Sequence, residues 1–368
     1  MDFQYRIDDV ELLDTPALVV YPDIVRRNIH HAVQIIGDVD RLRPHVKTNK
    51  SPEATRLMLD AGIRKFKCAT IAEAEMLGMC GAPDVLLAYQ PVGPKLERFI
   101  AVVEKCPATK YSCLVDNLQA AQCMSDAFAQ RQLKVSAFID LNIGMNRTGI
   151  SPDDAWQLFP AWASMPGFAS IGLHAYDGHL RAPDFVERKK ACDETFLQVT
   201  NLKNKIVEAG YPEPLIVAGG SPTFPVHASR QEVECSPGTF IYWDKGYGDL
   251  CSEQPFQPAA LLVTRVVSLP SNGKACLDLG HKSVAAENPI DQRVFFPDAP
   301  FLKPVGQSEE HLVVEIAPGY SLEVGEVLYG IPFHICPTVA LYERAFTVEN
   351  GQLTGEWEAI ARNRKITC

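Results

Sequence analysis

The feature that most limits what this chain can fold into is an alternation of β-rich runs and helical patterns over its first two thirds. Eight short β-rich runs occur there, and a segment of helical periodicity separates each run from the next. Such alternation predicts right-handed βαβ crossovers and a parallel sheet. The runs span residues 41–47, 65–70, 84–89, 110–116, 134–142, 170–176, 214–220 and 233–242.

Eight such units over roughly 200 residues match the count of a (β/α)8 barrel. We therefore predict an α/β fold with a TIM-type barrel. A doubly wound open sheet is the alternative that the pattern leaves open. No Gly-x-Gly-x-x-Gly follows the first strand, which argues against a dinucleotide-binding version of that sheet.

The sequence pattern changes near Glu253. From there on, short β-rich runs separated by Pro, Gly and Asn turns replace the alternation of β-rich runs and helical segments. The 368 residues also exceed what one hydrophobic core usually holds. We therefore predict a barrel over residues 16–252 and an all-β domain over residues 253–368. Residues 1–15 are predicted to form a segment that joins the β domain.

Composition excludes several partners and compartments. The chain carries 35 Lys and Arg against 45 Asp and Glu, a net charge of -10, which argues against nucleic-acid and anionic-membrane surfaces. No apolar run approaches the roughly 20 residues of a membrane span, and no apolar signal core opens the sequence. The 11 scattered cysteines contain no Cys-x-x-Cys pair and fit reduced thiols. We expect a cytoplasmic protein.

Polar residues collect where the predicted strands end, which is where barrels carry their chemistry. Lys47 ends the first strand, and Gly-containing loops with Ser221 and Thr239 follow the seventh and eighth. Such loops suit a phosphate group, and a phosphate with a strand-end lysine suggests pyridoxal 5'-phosphate bound as a Schiff base. A salt-bridging lysine and ordinary glycine turns are the alternatives.

A second candidate site lies late in the sequence. His334 and Cys336 occupy positions i and i+2, so in a strand both side chains would share one face and could ligate one ion. A buried histidine and a buried cysteine without metal fit the same spacing.

These residues resemble a known family. The stretch Arg43-Pro44-His45-Val46-Lys47-Thr48-Asn49-Lys50 is similar to the cofactor-lysine motif of the D-threonine aldolase and D-serine dehydratase family, fold-type III pyridoxal phosphate enzymes related to alanine racemase. Further similar motifs, in family order over nearly the whole chain, are Cys68-Ala69-Thr70 with Glu73-Ala74-Glu75, Asp140 through Gly149, Tyr176-Asp177-Gly178-His179, Gly219-Gly220-Ser221, Pro237-Gly238-Thr239 and His334-Ile335-Cys336-Pro337-Thr338.

The resemblance implies a role for each matching residue. Lys47, rather than Lys50, would bind the cofactor covalently, and Lys47, His174 and Tyr176 would be catalytic. Tyr176 would contact the pyridine nitrogen of the cofactor, and Arg147 and His174 would line its ring or phenolic oxygen. The residues implied at the phosphate are Gly220, Ser221, Gly238 and Thr239. His334 and Cys336 would bind a divalent ion, Zn2+ or Mn2+.

The implied activity is that of a metal-assisted lyase acting on D-3-hydroxy amino acids, by β-elimination or by retro-aldol cleavage. Cys336 favours the dehydratase branch, because the aldolase branch typically has aspartate there. Asn49 departs from the family pattern, which usually has histidine at that position. His281, Lys282 and His311 are candidates for the substrate end of the pocket. The resemblance also implies a homodimer.

Two other functions remain alternatives. An amino-acid racemase would need a second base on the opposite face of the substrate and no metal, so the His334 and Cys336 pair argues against it. A non-enzymatic carrier of pyridoxal phosphate would be a single barrel, so the additional β domain argues against that.

Overall fold

The computed structural model describes residues 4–368 and divides into two compact units that are not contiguous in sequence. The barrel unit comprises Ala32–Lys47, Thr55–Gly238 and Asn363–Cys368, and the β unit comprises residues up to His31, Thr48–Ala54 and Thr239–Arg362. The boundaries predicted after residues 15 and 252 stay predictions. Residues 1–3 of the predicted N-terminal segment lie outside the described residues.

Regular structure begins with β1 (Ala17–Val20) and α1 (Pro22–Ile36). The barrel unit then contains seven parallel strands that pair in chain order within the described residues. These strands are β2 (Lys65–Cys68), β3 (Asp84–Leu87), β4 (Lys110–Val115), β5 (Val135–Asp140), β6 (Phe168–Ala175), β7 (Ile216–Ala218) and β8 (Val233–Cys235).

Helices alternate with these strands, as the sequence predicts. Side-chain caps fix several of their starts: Thr70 accepts a hydrogen bond from the Glu73 amide, and Asn117 accepts one from Ala120. The helices are α2 (Pro52–Asp60), α3 (Ile71–Met79), α4 (Pro94–Lys105), α5 (Leu118–Gln130), α6 (Pro152–Ala163), α7 (Phe185–Glu208) and α8 (Phe224–Ala228).

The segment 42–46 joins both edges of the seven-stranded sheet. Leu42 forms a parallel bridge with Cys235 of β8, and His45 forms one with Lys67 of β2. The segment was predicted as the first regular strand, and instead it forms isolated bridges. Pro44 has no N–H group, so it cannot continue a ladder of hydrogen bonds. Because both edges are joined, the open-sheet alternative is wrong and the barrel prediction is confirmed.

The interior of the barrel is filled by side chains. Leu86, Leu114, Phe138 and Val217 form a buried cluster there. Gly172 makes room for the Phe138 ring, because a Cβ atom at Gly172 would lie 2.5 Å from Phe138 Cε1.

Towards the amino ends of the strands the interior is ionic. The Arg43 side chain is 1% exposed, and its guanidinium contacts Glu234 at 2.7 Å and Asp84 at 2.6 Å. Lys65 also pairs with Glu234. The guanidinium and the Lys65 amine therefore compensate the buried Glu234 carboxylate, and the guanidinium also pairs with the partly buried Asp84.

The β unit contains β9 to β16 and pairs them with β1. Strand β9 lies at its centre, antiparallel to β1, β10 and β14. The elements are α9 (Lys245–Leu250), β9 (Ala260–Ser271), β10 (Lys274–Leu277), β11 (Val294–Phe295), β12 (Leu302–Gln307), β13 (Leu312–Ile316), β14 (Val327–Pro332), α10 (Ile335–Val339), β15 (Arg344–Glu349) and β16 (Gln352–Glu358). The predicted C-terminal β domain is thus mostly β, with short helices.

Two further expectations concern the chain as a whole. None of the 11 cysteines, all within the described residues, forms a disulfide. Over residues 4–368 we find no helix that combines the length and the apolar character needed to cross a membrane.

Replacing Arg43 by methionine should destabilise the barrel, because the buried Glu234 would keep only Lys65 as a cation and Asp84 would lose its contact with the guanidinium. We expect the free energy of unfolding to fall by about 3–5 kcal/mol, measured by urea denaturation. Arg26→Met is the control, since Arg26 makes an exposed ion pair with Asp23 and should change little. Equal effects of the two substitutions would contradict this account of the barrel interior.

Candidate active site

The parallel register of the barrel brings polar residues together at the carboxyl ends of its strands. Asp140, the last residue of β5, is the register partner of His174 on β6. Their side chains meet, with 2.7 Å between Asp140 Oδ1 and His174 Nδ1, and Thr148 Oγ1 donates to Asp140 Oδ2 at 2.8 Å. Burial opposes ionisation of Asp140, but the hydrogen bonds from His174 and Thr148 keep its pKa below the usual value.

Positive side chains surround the ring of Tyr176, two residues beyond His174. Lys47 Nζ lies 6.0 Å from the ring centroid, Lys67 Nζ 5.7 Å and Arg147 Cζ 5.1 Å. The barrel unit thus brings together four of the predicted site residues: Lys47, Arg147, His174 and Tyr176. Three cations at one place suit a ligand that carries several negative charges.

The loop after β7 is shaped by glycine. Gly219 has a φ of +79°, and a Cβ there would lie 2.7 Å from the His227 ring. A Cβ at Gly220 would lie 3.0 Å from Tyr176 Cε2, so the ring of Tyr176 packs directly on this loop. The Gly220 amide donates to Thr223 Oγ1 at 3.3 Å, and Ser221 is 5% exposed. Three predicted residues, Tyr176, Gly220 and Ser221, are therefore neighbours.

A buried hydrogen-bond network holds this loop from behind. Asp177 Oδ1 accepts from Thr223 Oγ1 at 2.7 Å, and Asp177 Oδ2 lies 2.7 Å from His227 Nε2. Burial opposes ionisation of Asp177, but its bonds to His227 and Thr223 keep its pKa low. Burial and Asp177 raise the pKa of Cys192 to about 12.

Asp177, Cys192 and His227 each offer a metal-ligating atom, and these atoms lie within 4.8 Å of one another. Arg230 Nη1, however, lies 2.8 Å from His227 Nδ1, and an arginine beside the histidine opposes a second cation. The network also already satisfies both oxygens of Asp177. We therefore regard these three residues as a support for the loop.

The other two predicted phosphate contacts follow β8. Gly238 is buried and is the last residue of its segment of the barrel unit. Thr239, the next residue, is 4% exposed and belongs to the β unit, where its Oγ1 lies 3.8 Å from Cys336 Sγ.

The predicted metal ligands, His334 and Cys336, lie together in the β unit, but not in a strand as predicted. Strand β14 ends at Pro332, His334 precedes α10, and Cys336 lies in its first turn. The strand prediction fails because Pro337, near the start of α10, suits the first turn of a helix and not a ladder. The two side chains still share a hydrogen bond. Cys336 Sγ also lies 3.1 Å from Thr48 Oγ1.

The surroundings of His334 are acidic. His334 Nδ1 lies 2.5 Å from Glu287 Oε1, and Asp244 accepts a hydrogen bond from the Ile335 amide. Burial works against protonation of His334, but its bonds to Cys336 and Glu287 raise its pKa to about 9. A group of side chains that attracts a proton in this way also attracts a metal cation.

The remaining candidates are more dispersed. His281, Lys282 and His311 are exposed residues of the β unit, and Lys282 pairs with Glu309 and Glu310. Asn49 is 2% exposed, and its Nδ2 is buried without a hydrogen-bond partner.

Sequence reasoning missed Lys67 and Glu287, and it named Asp177 within a motif without giving it a role. The signal for Lys67 was available, because Lys65 and Lys67 alternate with Phe66 and Cys68 along a strand, and this alternation turns both lysines to the same face. Glu287 lies 47 residues before His334, and no local pattern marks it.

A separate cavity of about 510 Å³ opens at the other end of the barrel strands. Its lining includes Arg43, Asp84, Lys110, Ser136 and Tyr211, and Asp84 and Lys110 are the first residues of β3 and β4. None of the predicted site residues lines it. The chemistry described above therefore does not belong to this cavity.

Two family models match the chain. Residues 20–245 match the model described as alanine racemase, N-terminal domain, and residues 259–348 match the one described as putative serine dehydratase domain. Among curated proteins, the D-threonine aldolase of Arthrobacter sp. is 29% identical, over 96% of this chain and 94% of its own. The D-threo-3-hydroxyaspartate dehydratase of Delftia sp. (strain HT23) is 25% identical, over 76% and 75%.

Solved structures agree in fold. The crystal structure of D-threonine aldolase from Filomicrobium marinum superposes with a TM-score of 0.88 at 25% identity, covering 96% of each chain. Two variants of a D-threo-3-hydroxyaspartate dehydratase superpose at 21% identity. One replaces a histidine by alanine (TM-score 0.79, 96% of each chain), and the other, described as metal-free, replaces a cysteine two positions later (0.82, 95% of this chain and 98% of that one). The chain therefore belongs to the alanine racemase N-terminal domain family, and is a lyase of its pyridoxal-phosphate-dependent D-threonine aldolase and D-serine dehydratase branch.

Proposed function

We propose that this lyase acts on D-3-hydroxy amino acids with the help of a divalent metal ion, and that it eliminates the β-hydroxyl group. The observation that carries the proposal is the hydrogen-bonded pair of His334 and Cys336 with Glu287 on the imidazole. The two dehydratase variants replace, one each, a histidine and a cysteine that have the same spacing, and the cysteine variant is described as metal-free. Retro-aldol cleavage, the activity named for the Arthrobacter relative, is the second candidate.

The residues of the barrel unit fit pyridoxal phosphate. Lys47 supplies the amine for covalent attachment, and Arg147 supplies positive charge toward the anionic cofactor. We propose that the loops with Gly220 and Ser221, and with Gly238 and Thr239, hold its phosphate. When bound, the cofactor supplies an electron sink for negative charge at the substrate Cα.

Each catalytic side chain then has a defined task in this proposal. Tyr176 offers its phenol to the pyridine nitrogen, and because a phenol is a weak acid it need not protonate that nitrogen. The Lys47 amine would accept the Cα proton of the substrate at Nζ. His174, oriented by Asp140, lines the ring.

The residues of the β unit fit a divalent ion. Because Glu287 occupies Nδ1 of His334, the imidazole would present Nε2 to the metal, as carboxylate–histidine–metal arrangements commonly do. Histidine and thiolate suit Zn2+ better than Mg2+ or Ca2+, and two protein ligands leave positions for water and substrate. When bound, the ion would supply Lewis acidity, which makes a hydroxyl group a better leaving group.

We further propose a homodimer and a cytoplasmic location. Both rest on the resemblance and on the composition of the chain.

Incubation with D-serine, D-threonine and D-3-hydroxyaspartate tests the activity directly. With elimination we expect a 2-oxo acid and ammonia, for example pyruvate from D-serine. If the products are glycine and an aldehyde instead, the reaction is aldol cleavage and not elimination. Exchange of enantiomers without either product would exclude both and indicate a racemase.

Replacing Lys47 by alanine should remove the visible absorbance of lysine-bound pyridoxal phosphate and lower turnover on the order of 10²–10⁴-fold, because the site loses its amine and its base. Lys50→Asn is the matched control. Lys50 has a φ of 53°, which asparagine tolerates, so this variant should keep the absorbance. An unchanged spectrum in Lys47→Ala would assign the cofactor to another lysine.

Loss of metal should follow substitution in the β unit. His334→Ala and Cys336→Ser should abolish binding of one Zn2+ per chain, measured by mass spectrometry of metal content, and Glu287→Gln should weaken it about 10–100-fold. Turnover should fall while the cofactor absorbance persists.

Two control variants locate the ion. Cys276→Ser, in β10, should keep the full metal content. If Cys192→Ala lost the metal and His334→Ala kept it, the ion would belong to the Asp177 network and the proposed metal site would be wrong.

A further inference from the structure

Lys67 has no part in the function proposed above, although it lies in the same arrangement. It is the third residue of β2, and it is 2% exposed. Its Nζ lies 3.4 Å from His174 Nε2 and 5.7 Å from the centroid of the Tyr176 ring. A lysine this deeply buried is uncommon and needs a polar partner.

The partner of Lys67 is a histidine whose other nitrogen is already occupied. An ionised Asp140 can only accept hydrogen bonds, so His174 Nδ1 must carry the proton in the 2.7 Å contact. His174 Nε2 then has a lone pair, which accepts a hydrogen bond from Lys67. The three side chains thus form a line from Asp140 through His174 to Lys67.

We propose that Lys67 is a positioning residue of the active site: its side-chain nitrogen holds His174 in the neutral form that is protonated at Nδ1. The inference rests on the proposed function only in taking His174 as part of the cofactor site. Because both ring nitrogens are occupied, His174 presents the face of a neutral imidazole to its surroundings, and not an N–H group.

The charges around Lys67 agree with this role. The charged groups that act on it most strongly are Lys47 and Arg43, in and just after the segment 42–46, Asp140 from β5 and Asp177, two residues beyond β6. Burial and then Lys47 lower the pKa of Lys67 to about 7, although Asp140 and Asp177 act in the opposite direction. Burial and then Lys67 lower the pKa of His174, with Arg147 as a smaller contribution and Asp140 opposing.

A purely structural role makes a different prediction. If Lys67 only filled space in the barrel, methionine, which has a similar length and no charge, would replace it without altering the titration of His174. Removing the positive charge of Lys67 would instead leave Asp140 as the strongest charged influence on His174, and the histidine would then bind a proton at higher pH.

The test is to titrate His174 by nuclear magnetic resonance in the enzyme with added pyridoxal phosphate, using histidine labelled at Cε1. The chain has nine histidines, so His174→Gln identifies the signal. In Lys67→Met we expect the midpoint of His174 to rise by about one pH unit or more. The acidic limb of the pH profile of kcat/KM should move in the same direction. An unchanged midpoint would overturn the proposal.

Lys65→Met is the matched control, because Lys65 lies on the same strand but pairs with Glu234. It should leave the His174 midpoint unchanged. Lys67→Arg keeps the charge and should keep the midpoint low. If Lys67→Met does not fold, Lys67→Gln gives the same comparison.

Repeating the titration without pyridoxal phosphate separates this inference from the proposed function. If the protein binds no pyridoxal phosphate, the proposed function is contradicted. The effect of Lys67→Met on the His174 midpoint, measured without cofactor, still decides the role of Lys67.

Discussion

The constraint on which the barrel site depends is the parallel register of its strands. Register places Asp140 beside His174, and it aligns Ala175, Ala218 and Cys235 across β6, β7 and β8. All seven strands run in one direction, so the residues that follow them gather at one end of the barrel. The segment 42–46 completes the arrangement, because it pairs with both edge strands and carries the chain to Lys47.

That arrangement concentrates positive charge. Lys47, Lys67 and Arg147 lie within about 6 Å of the Tyr176 ring, and within the barrel unit Asp140 and Asp177 are the carboxylates that act on Lys67. Burying like charges together costs free energy, since each lowers the affinity of the others for a proton. An anionic cofactor would offset that cost. The same electrostatics therefore accounts for cofactor binding and for a neutral His174.

The candidate metal site of the β unit depends on a helix start and not on strand register. Here a short helix turns His334 and Cys336 toward each other at its start, and Glu287 on a distant segment fixes the imidazole. The first turn of a helix can bring the side chains at positions i and i+2 together, as the face of a strand would. The metal site at His334 and Cys336 stays a proposal, and the strand predicted for these two residues was wrong.

The sequence by itself determined the alternation of strands and helices, the barrel, the β-rich C-terminal part and the motifs that gather around Tyr176. Hydrophobic periodicity and strand order carry that information locally. Only the tertiary structure revealed Lys67 as the partner of His174 and Glu287 as the partner of His334. These pairs are 107 and 47 residues apart in the chain. Contacts of that kind depend on how strands close into a ring and how a helix begins, and no local pattern in the sequence records them.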